Sequence, residues 1–565
     1  MGAGQLAAAA GHAPWLASHL LAGIRSVPSP SIPILPSPAA SPAPLTGSVV
    51  SFSFLLSALI WTPVVVAGVM ALMPDPRRRW GTQFRLAAFW TEILVLVLVV
   101  VAYAQYQTFS NTLQFGEKVS WLPAIGAGYH LGLDGVNLAM LLLSAIVGVV
   151  AVLASGGVHD REGTYFTLLL LGQSAVNGVI CSQDLLLMVL FWGAAVIPIA
   201  LLIRGWGGAR RVAAAWRFLA YGLVGVAALW AAAIMLYQAA GGTTFDLPTL
   251  LLAQLPKGSQ IAIGLALLVA AACWLPLFPL HGWVRDVLAE APAGVAVQIA
   301  GVGTRLGGYL LIRILVGGEH DAARFLAPLI GGMGVATVIW GAMAAYGATD
   351  LRRMGAYASM VPAGVVALGV AGLTPLALDA AVLALFAGGL GAALLNGACA
   401  TVAERAQSRS LALLGGLGPR MPHLAWLLVL GAFAVIGVPG LATFTADLFA
   451  FMGSMRTAPE AAFGVAAGLV LAALAVAALL FRVLFSAPND DAPGARDASL
   501  AEVWYLGILA GALLWVGIIP GGPKLSGVAV FDPGLVNVIN SSAASIAAPY
   551  VPGAPSGPLL GTGTG

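Results

Sequence analysis

The chain has 565 residues, 60% of them hydrophobic and 8% charged, with a formal net charge of +3. A soluble domain carries about 25% charged residues, so this composition excludes a soluble globular protein, and the small net charge gives no ground for a nucleic-acid partner. A helix needs about 20 apolar residues to cross hydrocarbon, so a polytopic all-α membrane protein embedded in lipid is expected.

Residues 1–48 read as a Pro/Ser-rich amino-terminal arm. An Ala- and Leu-rich stretch is broken by Pro14, and a proline- and serine-rich run follows it. The start lacks the charge of a secretory leader, so an extended surface arm is expected. From Val49 onward about 14 transmembrane helices are predicted. They cover roughly 49–73, 84–106, 133–155, 165–182, 185–203, 212–238, 259–280, 294–315, 325–347, 356–373, 378–402, 423–454, 460–485 and 501–520. Asp134 and Asn137 open the third and read as its cap. Cys181, Cys273 and Cys399 fall in apolar runs, far apart, as small buried hydrophobes do.

With the amino terminus outside, the inner loops collect most of the arginines, from Arg77, Arg78 and Arg79 through Arg210, Arg211, Arg352, Arg353, Arg405 and Arg409 to Arg496. That bias follows the positive-inside rule. With an even number of spans it predicts a multi-pass protein with both termini on the outer side.

Two spans look broken. The seventh contains Pro276 and Pro279, and the twelfth contains Gly437, Pro439 and Gly440 followed by Thr443, Thr445 and Asp447. Proline removes a helical hydrogen bond. Interruptions at matching places in two half-repeats mark transporter pathways. Spans four to eight and nine to thirteen each hold five helices with the break fourth, which predicts two inverted repeats. The expected organisation is therefore the arm 1–48, three helices in 49–155, a first repeat in 156–315, a second in 316–485, a last helix in 486–525 and a tail in 526–565.

Ionisable groups within or beside a span mark an ion path or an anchor. The stretch PLFPLHGWVRDVLAEAP at 276–292 places His281, Arg285, Asp286 and Glu290 next to the broken seventh span. His281 and Glu290 read either as inner half-channel residues or as a capping and loop-packing cluster. Arg305 lies mid-span and needs a partner, for which Asp447 is a candidate. Asp447 itself, after a helix break, reads as lining a polar cavity. No predicted span holds a lysine, because Lys118, Lys257 and Lys524 all fall in segments on the outer side.

These pieces, together with YHLGLDGVNL at 129–138, RLGGYLLIR at 305–313, DLRRMGAYAS at 350–359, AERAQSR at 403–409 and GVPGLATFTADLF at 437–449, resemble the NuoM-type antiporter-like subunit of respiratory complex I. The resemblance runs from the first span to the fourteenth. It implies a membrane-arm subunit of a proton-translocating NADH-quinone oxidoreductase, with no redox site, cofactor or metal of its own. Flavin, iron–sulfur clusters and quinone would sit in partner subunits, and NuoL-like and NuoN-like chains would be its neighbours.

Against that family the chain departs at a set of positions. A glutamate of the fifth span is Gly193, a lysine of the seventh is Trp274, and an acidic position of the fourth is Gln173. Histidines of the tenth and eleventh are Pro362 and Gly388, while the eighth-span lysine and twelfth-span glutamate are Arg305 and Asp447. Lysine exchanges a proton when burial lowers its pKa; arginine stays charged. Three readings follow: a subunit that conducts through His281, Arg305 and Asp447 by a changed route, a structural spacer with a degenerate channel, and an Mrp-type cation/proton antiporter subunit.

Overall fold

The computed structural model describes residues 54–73, 80–108, 113–486, 496–518, 524–525, 528–529 and 535–551. The expected arm at 1–48 lies outside them. Helices α1 (Leu55–Leu72) and α2 (Gly81–Gln105) precede a hairpin of β1 (Gln114–Leu122) and β2 (Ala127–Leu133). Then come α3 (Gly135–Ala154), α4 (Glu162–Cys181), α5 (Leu185–Trp206), α6 (Arg211–Ala239), the short α7 (Leu247–Leu251) and α8 (Lys257–Trp274). After a loop follow α9 (Val284–Glu290), α10 (Ala293–Gly301), a 3-10 turn at Gly303–Arg305, α11 (Leu306–Leu310) and a π-helical turn at Leu311–Val316. The second half comprises α12 (His320–Tyr346), α13 (Leu351–Ala358), α14 (Val361–Gly372), α15 (Pro375–Arg405), α16 (Leu417–Arg420), α17 (Pro422–Ile436), α18 (Ala442–Ser454), α19 (Pro459–Leu484) and α20 (Leu500–Ile518). Strands β3 (Lys524–Leu525) and β4 (Val528–Ala529) and helix α21 (Leu535–Ala547) end the described chain.

Among the described residues thirteen segments are long and apolar enough to cross a membrane. The remaining expected crossing is divided between α17 and α18, so the predicted set of spans is recovered within a few residues at most ends. Segments 293–316 and 375–405 are buried along their whole apolar stretch, whereas α1, α2, α6, α19 and α20 bury one face and leave the other to lipid. The centre of the bundle is therefore α15, packed by α3, α10, α14, α17, α18, α20 and α21. Its run of alanines and glycines suits that position, since helices in lipid approach closely through small residues.

Both predicted breaks are present. Between α8 and α9 the chain leaves the helix at Leu275, and the indole Nε1 of Trp283 donates to the Cys273 carbonyl at 2.8 Å, bridging the gap. The Phe278 amide donates to Thr337 Oγ1 at 2.9 Å. Between α17 and α18, Gly437 (φ 69°) and Gly440 (φ 95°) take left-handed conformations that favour glycine. A side chain on Gly437 would also overlap the Asp447 carboxylate.

Alternate loops gather at one end of the bundle around the hairpin. The stretch at 129–133, expected to lead into the third span, forms part of β2, and Asp134 Oδ1 caps α3 by accepting from the amides of Val136 and Asn137 at 3.0 Å. Glu117 on β1 accepts from the Leu56 amide at 2.8 Å. Asp246 accepts from Lys118 Nζ at 2.9 Å and Thr249 Oγ1 at 2.8 Å, and lies 2.6 Å from His130 Nδ1. Burial alone would raise the Asp246 carboxyl, but these bonds together hold it below the ordinary carboxylate range. In the tail expected at 526–565, helix α21 packs on α3 and α15, with the Gly135 amide donating to Ser542 Oγ at 2.8 Å. Tyr550 Oη donates to the Val316 carbonyl at 2.8 Å.

Two outcomes follow from this frame. Replacing Gly437 with Ala should destabilise the protein by about 1–3 kcal/mol through backbone strain alone, with the overlap on Asp447 adding to it, and thermal unfolding in detergent measures the loss. Glu319, buried between the π-helical turn and α12, has its carboxyl pushed up to about 7 by desolvation. An acid raised in the folded state weakens folding above that value and is relieved as pH falls toward its ordinary 4.5. Glu319→Gln should therefore raise the melting temperature at pH 8 and lose that advantage by pH 4.5.

Candidate functional site

Around Trp274, where the family resemblance leads one to expect a lysine, the interior is aromatic. Trp274, the last residue of α8, meets Trp192 of α5 edge-on at 5.6 Å and Phe218 of α6 at 5.9 Å. Phe218 in turn meets Trp283 at 5.6 Å. All four rings are buried. Gly225 on α6 makes the room, since a Cβ there would lie 2.8 Å from the Trp274 ring. The indole nitrogens of Trp192 and Trp274 have no hydrogen-bond partner among the described residues, and neither indole nor phenyl rings gain or lose a proton near neutral pH. Gly193 sits beside it, where an added Cβ would meet Val226 at 3.8 Å and nothing closer.

Arg305, Pro362 and Gly388 come together on the central axis. The guanidinium is fully buried, and its Nη2 donates to the carbonyls of Gly388 at 3.2 Å and Ser359 at 3.4 Å. A Cβ on Gly388 would lie 2.6 Å from the Pro362 Cβ. Nε and Nη1 have no partner among the described residues. The expected pairing of Arg305 with Asp447 does not form: Asp447 lies against Gly437 in the α17–α18 break, and backbone carbonyls take the arginine's place for a carboxylate. Arginine cannot release its proton, so this group holds charge without passing a proton on.

The stretch at 276–292 separates into two parts. His281 is stacked on Phe278 at 5.4 Å and against Trp340 at 5.6 Å, with Nδ1 unpartnered among the described residues. Glu290 makes capping and packing contacts. It is 2% exposed, accepts from the Arg210 amide at 3.0 Å and pairs with Arg409 at 3.1 Å, and Arg409 also pairs with Asp350 at 3.0 Å. Asp286 pairs with Arg217 and, at 3.0 Å, with Arg285. One knot thus ties the loops before α6, after α9, before α13 and after α15.

Gln173 belongs to a buried amide and hydroxyl network. Its Nε2 donates to the Ser144 carbonyl at 2.7 Å and to Ser144 Oγ at 2.8 Å; Ser144 Oγ donates to Asn177 Oδ1 at 2.6 Å. Its Oε1 accepts from Gln298 Nε2 of α10 at 2.9 Å. Glu92 of α2 completes the group, and the sequence reading passed over it. So did the reading of Asp379 on α15 and of Arg313, which pairs with Asp134 and donates to Gln183 Oε1 at 2.5 Å. A search for every acid or base inside a predicted span, rather than within recognised motifs, would have found Glu92 and Asp379.

An unpaired buried cation destabilises a fold, and replacing buried ions with apolar groups of like volume often stabilises by about 1–4 kcal/mol. Arg305→Met should therefore leave assembly intact and raise the melting temperature; a lowered value would mean that the guanidinium is held by something stronger than two carbonyls.

Residues 182–475 match the transmembrane family described as NADH:quinone oxidoreductase/Mrp antiporter. NAD(P)H-quinone oxidoreductase chain 4 proteins are similar over most of their length. That of a Synechococcus strain is 32% identical, covering 80% of this chain and 85% of that protein; that of Trichormus variabilis is 31% identical, covering 77% and 82%. Among solved structures, a chain of respiratory complex I from Thermus thermophilus superposes with a TM-score of 0.76 at 24% identity, covering 86% of this chain and 99% of that one. A chain of the Mrp complex from a Dietzia species does so with 0.75 at 19% identity, covering 88% and 98%. These structural likenesses speak for the fold.

Proposed function

The chain belongs to the chain 4 family of NAD(P)H-quinone oxidoreductases, the NuoM-type membrane-arm subunits of complex I, and we propose that it serves there as a structural spacer whose own proton crossing is closed. One observation carries the proposal: Trp192, Trp274, Phe218 and Trp283 fill the interior between α5, α6 and α8. A proton relay needs groups that gain and lose protons near working pH. Indole and phenyl rings supply no such group. Arg305 keeps the charge of a relay without its exchange. Losing both members of a buried acid–base pair avoids the about 3–5 kcal/mol that leaving one alone would cost, so their joint absence is a coherent state.

The assembly would carry out electron transfer in other subunits, with flavin, iron–sulfur clusters and quinone bound there. NuoL-like and NuoN-like chains would flank this one within the lipid. The bacterial sources of its relatives argue for a bacterial inner membrane, and the arginine bias for both termini outside. The positions of the two breaks argue for inverted five-helix repeats at 156–315 and 316–485. The alternative Mrp-type antiporter is weaker, because cation/proton exchange needs the same titratable side chains.

Asp447 is the acid that separates spacer from conductor. Asp447→Asn should leave the number of protons pumped per electron pair unchanged in the assembled complex. A fall in that ratio, with electron transfer intact, would mean that protons cross this subunit after all.

A further inference from the structure

Glu92 lies near the middle of α2, on the face turned from lipid, while Trp90 and Leu94 beside it are exposed. Its side chain is 1% exposed, and Oε2 has no hydrogen-bond partner among the described residues. That oxygen rests on Gly148 of α3 so closely that a methyl group there would overlap it, and Gln173 Nε2 of α4 lies 2.9 Å from the same point. The groups gathered around it (Gly148, Ser144, Gln173 and Asn177) are all neutral, and among the described residues Glu92 makes no ion pair. A carboxylate without a counter-charge at that depth would cost several kcal/mol, while the neutral acid costs far less. A carboxyl kept there under those terms points to a use for its proton.

We propose that Glu92 is a proton-binding site of this subunit, separate from the closed crossing, whose occupancy is read by the Gln173–Gln298 amide chain. In the resting arrangement Glu92 is the neutral acid, and both Gln173 amide hydrogens are spent on Ser144. On deprotonation the carboxyl O–H breaks and its proton passes to water. The carboxylate then outcompetes Ser144 Oγ for one Gln173 N–H, because bonds to ionised acceptors are roughly twice as strong as neutral ones. Turning that amide shifts its Oε1, which holds Gln298. Gln298 stands on α10, which leads through the 3-10 turn to Arg305. Protonation at the α2–α4 seam is thereby linked to the fully buried central segment. The Asn177 Nδ2 and Gln298 Oε1 atoms, both unpartnered among the described residues, are the spare donor and acceptor such a rearrangement would use.

The test is redox-induced infrared difference spectroscopy of the purified complex in lipid nanodiscs. The wild type should show a protonated-carboxyl stretching band that shifts in heavy water. Glu92→Gln, nearly isosteric, should lose it, and Asp447→Asn should keep it. Spectra of Glu92→Gln and wild type that superpose would overturn the proposal. Should Glu92→Gln fail to assemble, Gln173→Leu, which leaves the acid in place, decides: a displaced band supports the link, and an unmoved one refutes it. The site is read out by a spectral band and the closed crossing by the pumping ratio of Asp447→Asn, so either can fail without the other.

Discussion

Hydrocarbon offers no water to a polar group, so each one brought into the bilayer must be satisfied by the protein. That constraint organises this fold. Where α8 stops, the Trp283 indole reaches back to a freed carbonyl, and Thr337 of α12 receives the Phe278 amide. Where charge enters, it is handled in two ways. At the bundle ends it is paired, as Glu290, Arg409 and Asp350 are, or Arg313 and Asp134. On the axis Arg305 meets only carbonyl dipoles.

The interior therefore divides by chemistry. The side through α5, α6 and α8 is aromatic, and the seam of α2, α3, α4 and α10 carries amides, a hydroxyl and a carboxyl. Within each part the residues fit one another. Gly225 admits the Trp274 ring, and Gly388 admits Pro362 while exposing its carbonyl to Arg305.

Most of the helical frame was legible in the sequence, because long apolar runs and the punctuating prolines and glycines are strong local signals. The α8–α9 and α17–α18 breaks were found for that reason. Partners across the bundle were not legible. The pairing offered for Arg305 was wrong, since sequence reveals a need for compensation without saying whether a carboxylate or a carbonyl provides it. The partner of Glu290 was hidden as well, because Arg409 lies 119 residues away in the chain yet 3.1 Å away in space. Glu92 escaped notice since a lone acid in an otherwise oily helix belongs to no motif. Helix α21 escaped because a short amphipathic segment among loop-like residues has a weak pattern until its docking face is known.

That last helix has a bearing on how the molecule is made. Ser542 closes a contact with Gly135 across 407 positions of the chain, and Tyr550 reaches Val316 across 234. Neither contact can form until α21 and the turn after it have been made. Until then the start of α3 lacks that cover, although all the helices that flank it are already in place. A polypeptide cut short before α21 would lack this seal and keep an open seam at the start of α3.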